Sequence, residues 1–90
     1  MATVRFTYAL KRFFPDLKEE TITATTIKGL LDTLERQHIG LKGYVVDERG
    51  RLRKHVNIYV NNTHIKDEVG LSDQITDSCE VYIMQALSGG

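Results

Sequence analysis

One amphipathic helix sets the terms for everything else this ninety-residue chain can make. Ile27, Leu30, Leu31 and Leu34 fall at i, i+3, i+4 and i+7, which places four branched apolar side chains on one stripe. Asp32, Glu35 and Arg36 take the wet side. Thr25 or Thr26 supplies an N-cap oxygen, and Gly40 stands where a left-handed C-terminal cap belongs. Gly29 inside the helix costs about 1 kcal/mol against alanine, which points to a close approach there. A single stripe of this width needs one partner layer, and the flanking segments supply it as strands.

Val4, Phe6, Tyr8 and Leu10 alternate with Thr3, Arg5, Thr7 and Ala9, the period-two mark of a half-buried first strand. Lys11 to Leu17 holds Phe13-Phe14-Pro15-Asp16 and reads as a loop, and Glu20 to Thr25 reads as a second strand. These two are expected to form an antiparallel hairpin. Beyond the helix, Leu41 to Lys54 is the least regular part, with a turn at Asp47-Glu48-Arg49-Gly50. His55 to Val60 is a third strand, with Val56, Ile58 and Val60 on one side and Asn57 and Tyr59 on the other. Asn61-Asn62 turns the chain into a short fourth strand around His64-Ile65. Leu71 to Ile75 predicts a single turn of helix, and Cys79 to Leu87 the last strand.

This order predicts an α+β fold in which a mixed sheet of four to five strands packs on one main helix. The last strand is expected in the middle, parallel to the first. One domain is expected over residues 1–87, followed by a diglycine tail at 88–90.

Composition narrows the function. Twelve basic residues balance twelve acidic ones, so charge does not argue for nucleic acid or an anionic membrane as the partner. Cys79 is the single cysteine, which excludes an internal disulfide and fits a reducing compartment. The first ten residues carry Arg5 within an alternating pattern and lack the apolar block of a signal peptide, so a cytoplasmic location is expected.

Catalytic constellations are sparse. His38, His55 and His64 show no ligand spacing with Cys79 or with one another, which argues against a metal site. No histidine is tied locally to Cys79, so an inert thiol is the plainer reading. Arg49, Arg51, Arg53, Lys54 and His55 form a basic run without interleaved aromatics, read as a solvated loop, with a protein-docking patch as the alternative. Parity sends Tyr59, Tyr82 and Met84 to the outward side of the sheet, and these residue types favour a docking face there.

The last two residues of the sequence are Gly89-Gly90, directly after an apolar strand. Without Cβ atoms a diglycine threads a narrow channel and presents a carboxylate without steric cover. A frayed end or an expression scar is the bland alternative.

Taken in order, Leu10-Lys11-Arg12-Phe13-Phe14-Pro15, the helix from Ile27, Val56-Asn57-Ile58-Tyr59-Val60-Asn61, and Val81-Tyr82-Ile83 leading to Ser88-Gly89-Gly90 resemble the ubiquitin-like β-grasp sulfur carriers of the ThiS/MoaD family. The Arg51–Asn61 segment is most similar to the longer carriers of cysteine biosynthesis. The turn before the last strand departs from the family's usual Asp-Gly-Asp-Glu, reading Asp77-Ser78-Cys79-Glu80 here.

The resemblance implies a β-grasp fold and a protein co-substrate with no bound cofactor of its own. An ATP-dependent activating enzyme would adenylate the carboxylate of Gly90, and sulfur transfer would convert it to a thiocarboxylate. Leu87, Ser88 and Gly89 would be read in the partner's channel, while Tyr59, Tyr82 and Met84 dock. The implied acceptors are a cysteine synthase-like enzyme, a molybdopterin synthase large subunit or a thiazole synthase, with a deconjugating protease as a further partner. Two alternatives stand beside this reading: a ubiquitin-like modifier joined to lysines through Gly90, and a non-covalent β-grasp interaction module.

Overall fold

The computed structural model describes residues 1–85, in the order β1 (Ala2–Phe6), α1 (Tyr8–Phe13), β2 (Glu20–Ile22), α2 (Ile27–Gln37), α3 (Leu41–Val45), β3 (Val56–Val60), β4 (Thr63–His64) and β5 (Glu80–Gln85). The five strands form one mixed sheet in the order β2-β1-β5-β3-β4. β1 and β2 are antiparallel, β5 runs parallel to β1 from Thr3↔Glu80 to Phe6↔Ile83, and β3 is antiparallel to β5 from Val56↔Gln85 to Val60↔Val81. The hairpin and the central, parallel last strand are both as the residue pattern predicts.

Parity decides the two faces of this sheet. Val4, Phe6, Ile22, Val56, Ile58, Val81 and Ile83 are buried against Ile27, Leu30, Leu31 and Leu34 of α2, all four of which have no exposed surface. Burying each such side chain stabilises by about 1.5–3 kcal/mol before entropy is counted. No polar or charged residue among those described is buried with them. The α2 N-terminus is capped by Thr26, whose hydroxyl accepts the Gly29 N–H at 3.1 Å. A Cβ at Gly29 would meet only Thr26 Oγ1 at 3.5 Å and Ala24 Cβ at 3.7 Å, which is ordinary contact. The close approach expected at Gly29 is therefore absent. Gly40 does take the left-handed conformation (φ +97°), but two residues beyond the formal C-cap His38, where it starts α3.

Several segments depart from the sequence expectation. The first strand stops at Phe6, and the alternation continuing through Tyr8 and Leu10 belongs to α1. Tyr8 is 76% exposed whereas Leu10 is fully buried, a split that one face of a strand would not allow. Lys11 to Phe13 is accordingly helix and not loop. α3 lies within the stretch that looked irregular, because five residues are too few to display a helical period.

The helical turn expected at Leu71–Ile75 does not form. Leu71 has φ +54°, and this segment runs alongside the start of α2. There the Leu71 and Asp73 carbonyls accept from Lys28 N–H (2.9 Å) and Ile27 N–H (3.1 Å). They satisfy amides that the first turn of a helix leaves without partners. The second strand is also shorter than expected, ending at Ile22. Asn61 and Asn62 both have positive φ (50° and 70°), as a two-residue hairpin turn of the primed type requires, and the fourth strand is Thr63–His64.

Candidate docking face and strand end

The outward side of β3 and β5 is built by the same parity that fills the core. Tyr59 stands directly opposite Tyr82, and Asn57 opposite Met84. Tyr59, Asn62, Tyr82 and Met84 line a shallow depression of about 250 Å³. Tyr82 is 40% exposed, and Tyr59 and Met84 are half-buried. The structure thus brings together the three residues expected to face outward.

Further residues brace this face that the sequence did not single out. The His64 ring meets Tyr59 edge-on at 5.4 Å. Its Nδ1–H donates to the Ile65 carbonyl at 2.7 Å, and its Nε2 lies 3.2 Å from Asn57 Oδ1 and 3.6 Å from Glu68. Their signal in the sequence was present but unused: Asn57 shares parity with Tyr59, and the turn at Asn61-Asn62 returns His64 beside it. The β1 half of the face is charged instead. Arg5 pairs with Glu19 at 3.2 Å and Glu80 at 3.4 Å, and a hollow of about 190 Å³ between Arg5, Lys11, Glu19 and Tyr82 joins the two halves. The face therefore has an aromatic side and an ionic side on which Arg5 is paired with Glu19 and Glu80.

β5 is described through Gln85 and lies between β1 and β3. Thr7 N–H donates to the Ile83 carbonyl at 3.2 Å, and Gln85 N–H donates to the Thr7 hydroxyl at 3.1 Å. Leu87, Ser88, Gly89 and Gly90, expected to carry recognition and chemistry, lie outside the described residues.

Cys79 is at the opposite end of the same strand, six residues and ~20 Å from Gln85 at ~3.3 Å per residue. It is only 7% exposed. Its sulfur accepts from Thr76 N–H at 3.3 Å and Asn61 Nδ2 at 3.7 Å, with the Thr76 hydroxyl at 3.4 Å. The Thr76 hydroxyl and amide, then Asn61, pull the thiol below its ordinary pKa while burial opposes them. The basic run is partly spent on its own loop: Arg51 pairs with Asp47 at 3.8 Å, and Arg53 Nε donates to the Gly43 carbonyl at 2.9 Å. Arg49, Lys54 and His55 are exposed.

Among the described residues no three His, Cys, Asp or Glu side chains gather as a metal site. Among them, too, no helix is long and apolar enough to cross a membrane.

Comparison with known proteins places this geometry. Residues 4–90 match the ThiS family. The sulfur carrier protein CysO of Mycobacterium bovis and of Mycobacterium tuberculosis is 31% identical over 75 residues, spanning 81% of this chain and 81% of theirs. Among solved structures, one chain of the BexX/CysO complex of Amycolatopsis orientalis aligns over 100% of this chain and 100% of its own length, with a TM-score of 0.85 and 27% identity. Mycobacterium tuberculosis CysO aligns over 97% of this chain and 100% of its own, with a TM-score of 0.83 and 27% identity. The mixed sheet, the covering helix α2 and the match through residue 90 converge on one assignment: this chain belongs to the ThiS family and is a β-grasp relative of the CysO sulfur carriers.

Proposed function

We propose that this chain is a cytoplasmic sulfur carrier and a protein co-substrate, with the Gly90 carboxylate as its working group. The observation that carries the reading is the family match running through the diglycine, joined to 31% identity with a CysO sulfur carrier. An activating enzyme of the ThiS/MoaD type would use ATP to esterify the Gly90 carboxylate as an acyl adenylate, releasing pyrophosphate. A carboxylate is a poor electrophile, and the adenylate makes it a good one. Attack by a sulfide-class nucleophile then forms the carbon–sulfur bond, breaks the bond to AMP and leaves a thiocarboxylate. That group donates its sulfur to an acceptor enzyme, of which a cysteine synthase-like enzyme fits the CysO likeness best.

In this scheme Tyr59, Tyr82 and Met84 dock against the partner while Leu87, Ser88 and Gly89 pass along its channel. The chain supplies recognition and a reactive end, and its partners supply catalysis. That the Amycolatopsis orientalis CysO was solved in complex with BexX supports a carrier that works by docking. The test is a pair of variants, one lacking Gly90 and one with a single residue added after it. Both should lose ATP-dependent activation completely, because the reacting carbon is gone or displaced. Full activity in either variant would favour a non-covalent module instead.

A further inference from the structure

Thr7 is the N-cap of α1 by position and backbone angles (φ −72°, ψ 159°), yet its side chain makes no capping hydrogen bond. Threonine is a good N-cap residue, and an unused cap hydroxyl forgoes stabilisation that the helix would otherwise have. The hydrogen bonds explain where that hydroxyl has gone. In a parallel ladder, a residue donates its N–H to one carbonyl of the neighbouring strand and accepts at its own carbonyl from the amide two residues further on. Thr7 N–H donates to the Ile83 carbonyl, so the Thr7 carbonyl should accept from Gln85 N–H. It cannot, because α1 has begun: the Thr7 carbonyl is taken by Leu10 N–H at 3.2 Å and Lys11 N–H at 3.4 Å. The Thr7 hydroxyl stands in for its own carbonyl and accepts from Gln85 N–H at 3.1 Å. The contact spans 78 positions of sequence and extends the β1–β5 pairing one residue past the point where β1 has turned into a helix.

We propose that Thr7 is a positioning residue that fixes the position and direction of the backbone at Gln85, five residues before Gly90. This rests on the carrier reading above. With the clamp in place β5 is held on its β1 side through Gln85, so the following residues start from a set point and direction relative to the docking face. Without it, Gln85 keeps its pairing with Val56 of β3 but loses its anchor on the β1 side, and the activating enzyme must order that backbone when it binds. The lost contact is one hydrogen bond, which corresponds to about a two- to tenfold effect on an equilibrium.

The test uses the full chain in three variants. Thr7→Val removes the acceptor and keeps the shape, Thr7→Ser keeps the hydroxyl, and Gln85→Pro removes the donor from the other side without touching α1. Two quantities are measured: amide exchange at Gln85 by NMR in the free protein, and KM and kcat for the carrier in ATP–pyrophosphate exchange with its cognate activating enzyme. Thr7→Val should speed exchange at Gln85 and raise KM about two- to tenfold with kcat nearly unchanged. Thr7→Ser should resemble the parent in both, and Gln85→Pro should reproduce the higher KM. A variant that frees the Gln85 amide yet leaves KM unchanged would make the clamp merely structural and overturn the proposal. So would an unchanged exchange rate in Thr7→Val. Absence of any exchange activity with the parent chain would instead contradict the carrier reading, and the amide measurement would still stand. If Thr7→Val does not fold, Gln85→Pro decides alone.

Discussion

Tyr59 and Tyr82 stand directly across the β3–β5 ladder from each other, on the side of the sheet that the helix does not cover. The partners immediately flanking them on these two strands, Ile58↔Ile83 and Val60↔Val81, turn inward, with Val60 partly buried against the core. The pair therefore costs the core nothing, and its substitution separates docking from folding. Tyr82→Ala should weaken apparent affinity for the activating enzyme roughly tenfold, as loss of an aromatic anchor does. Stability should fall by no more than about 1 kcal/mol, the scale of one cross-strand pair. Ile39→Ala, at a site 86% exposed and outside this face, should change neither quantity. Titration calorimetry and urea denaturation read the two effects separately.

Gly29 is the clearest place to gain stability. It lies in the first turn of α2, and a Cβ there meets only ordinary contacts. Gly29→Ala should raise unfolding free energy by about 0.5–1 kcal/mol, through lower entropy of the unfolded chain. A shift of the urea midpoint to higher concentration with an unchanged slope is the expected result. The cap beside it works in the opposite sense: Thr26→Ala removes the acceptor of the Gly29 N–H and should cost about 1 kcal/mol.

Acid should loosen the loop that closes on the start of α2. Asp67 accepts from the Ser72 hydroxyl, Gly70 N–H, Ser72 N–H and Val69 N–H, which hold its carboxyl at about 2, below an ordinary value of 3.8. Its folded pKa is depressed, so its contribution is present above the unfolded value and is lost as pH falls through the folded one. The window is therefore about pH 4 to 2. Glu35 and Asp47 are also shifted down, Glu35 chiefly by the Gly40 and Lys42 amides and Asp47 chiefly by the Arg51 amide. Melting temperature should decline across this window, and the decline should be shallower in Asp67→Asn, which has no charge there to lose.

Cys79 should be irrelevant to sulfur loading. It is buried, held by Thr76 and Asn61, and set at the far end of β5 from Gln85. Cys79→Ala should load sulfur at the parent's rate, read by mass spectrometry. Alkylation of Cys79 in the native chain should be slow and should accelerate on unfolding. A loading reaction that required this thiol would reassign the chemistry.

Much of this could be read from the residues because parity and helical period are local. The Ile27–Leu34 stripe, the Val56–Val60 alternation and the Asn61-Asn62 turn each state their geometry within a few positions. So did the shared face of Tyr59, Tyr82 and Met84, once β5 was recognised as a strand. What stayed hidden depends on distant partners. The alternation from Val4 to Leu10 looks like one strand, and only the recruitment of the Thr7 carbonyl by Leu10 and Lys11 shows where it becomes helix. Leu71 to Ile75 is not helical, and its Leu71 and Asp73 carbonyls serve the amides of Lys28 and Ile27, over forty residues away in sequence. The Thr7–Gln85 contact is invisible for the same reason: nothing near Thr7 says that its hydroxyl has a second use.

The central claim is that Gly90 carries sulfur, and intact-mass spectrometry tests it most directly. The parent chain is incubated with its cognate activating enzyme, ATP and a sulfide donor, and the C-terminal peptide is then sequenced by fragmentation. The carrier account predicts one oxygen-to-sulfur exchange, ATP-dependent and localised to Gly90. An unchanged mass at Gly90, with lysine conjugates of this chain formed in its place, would contradict it.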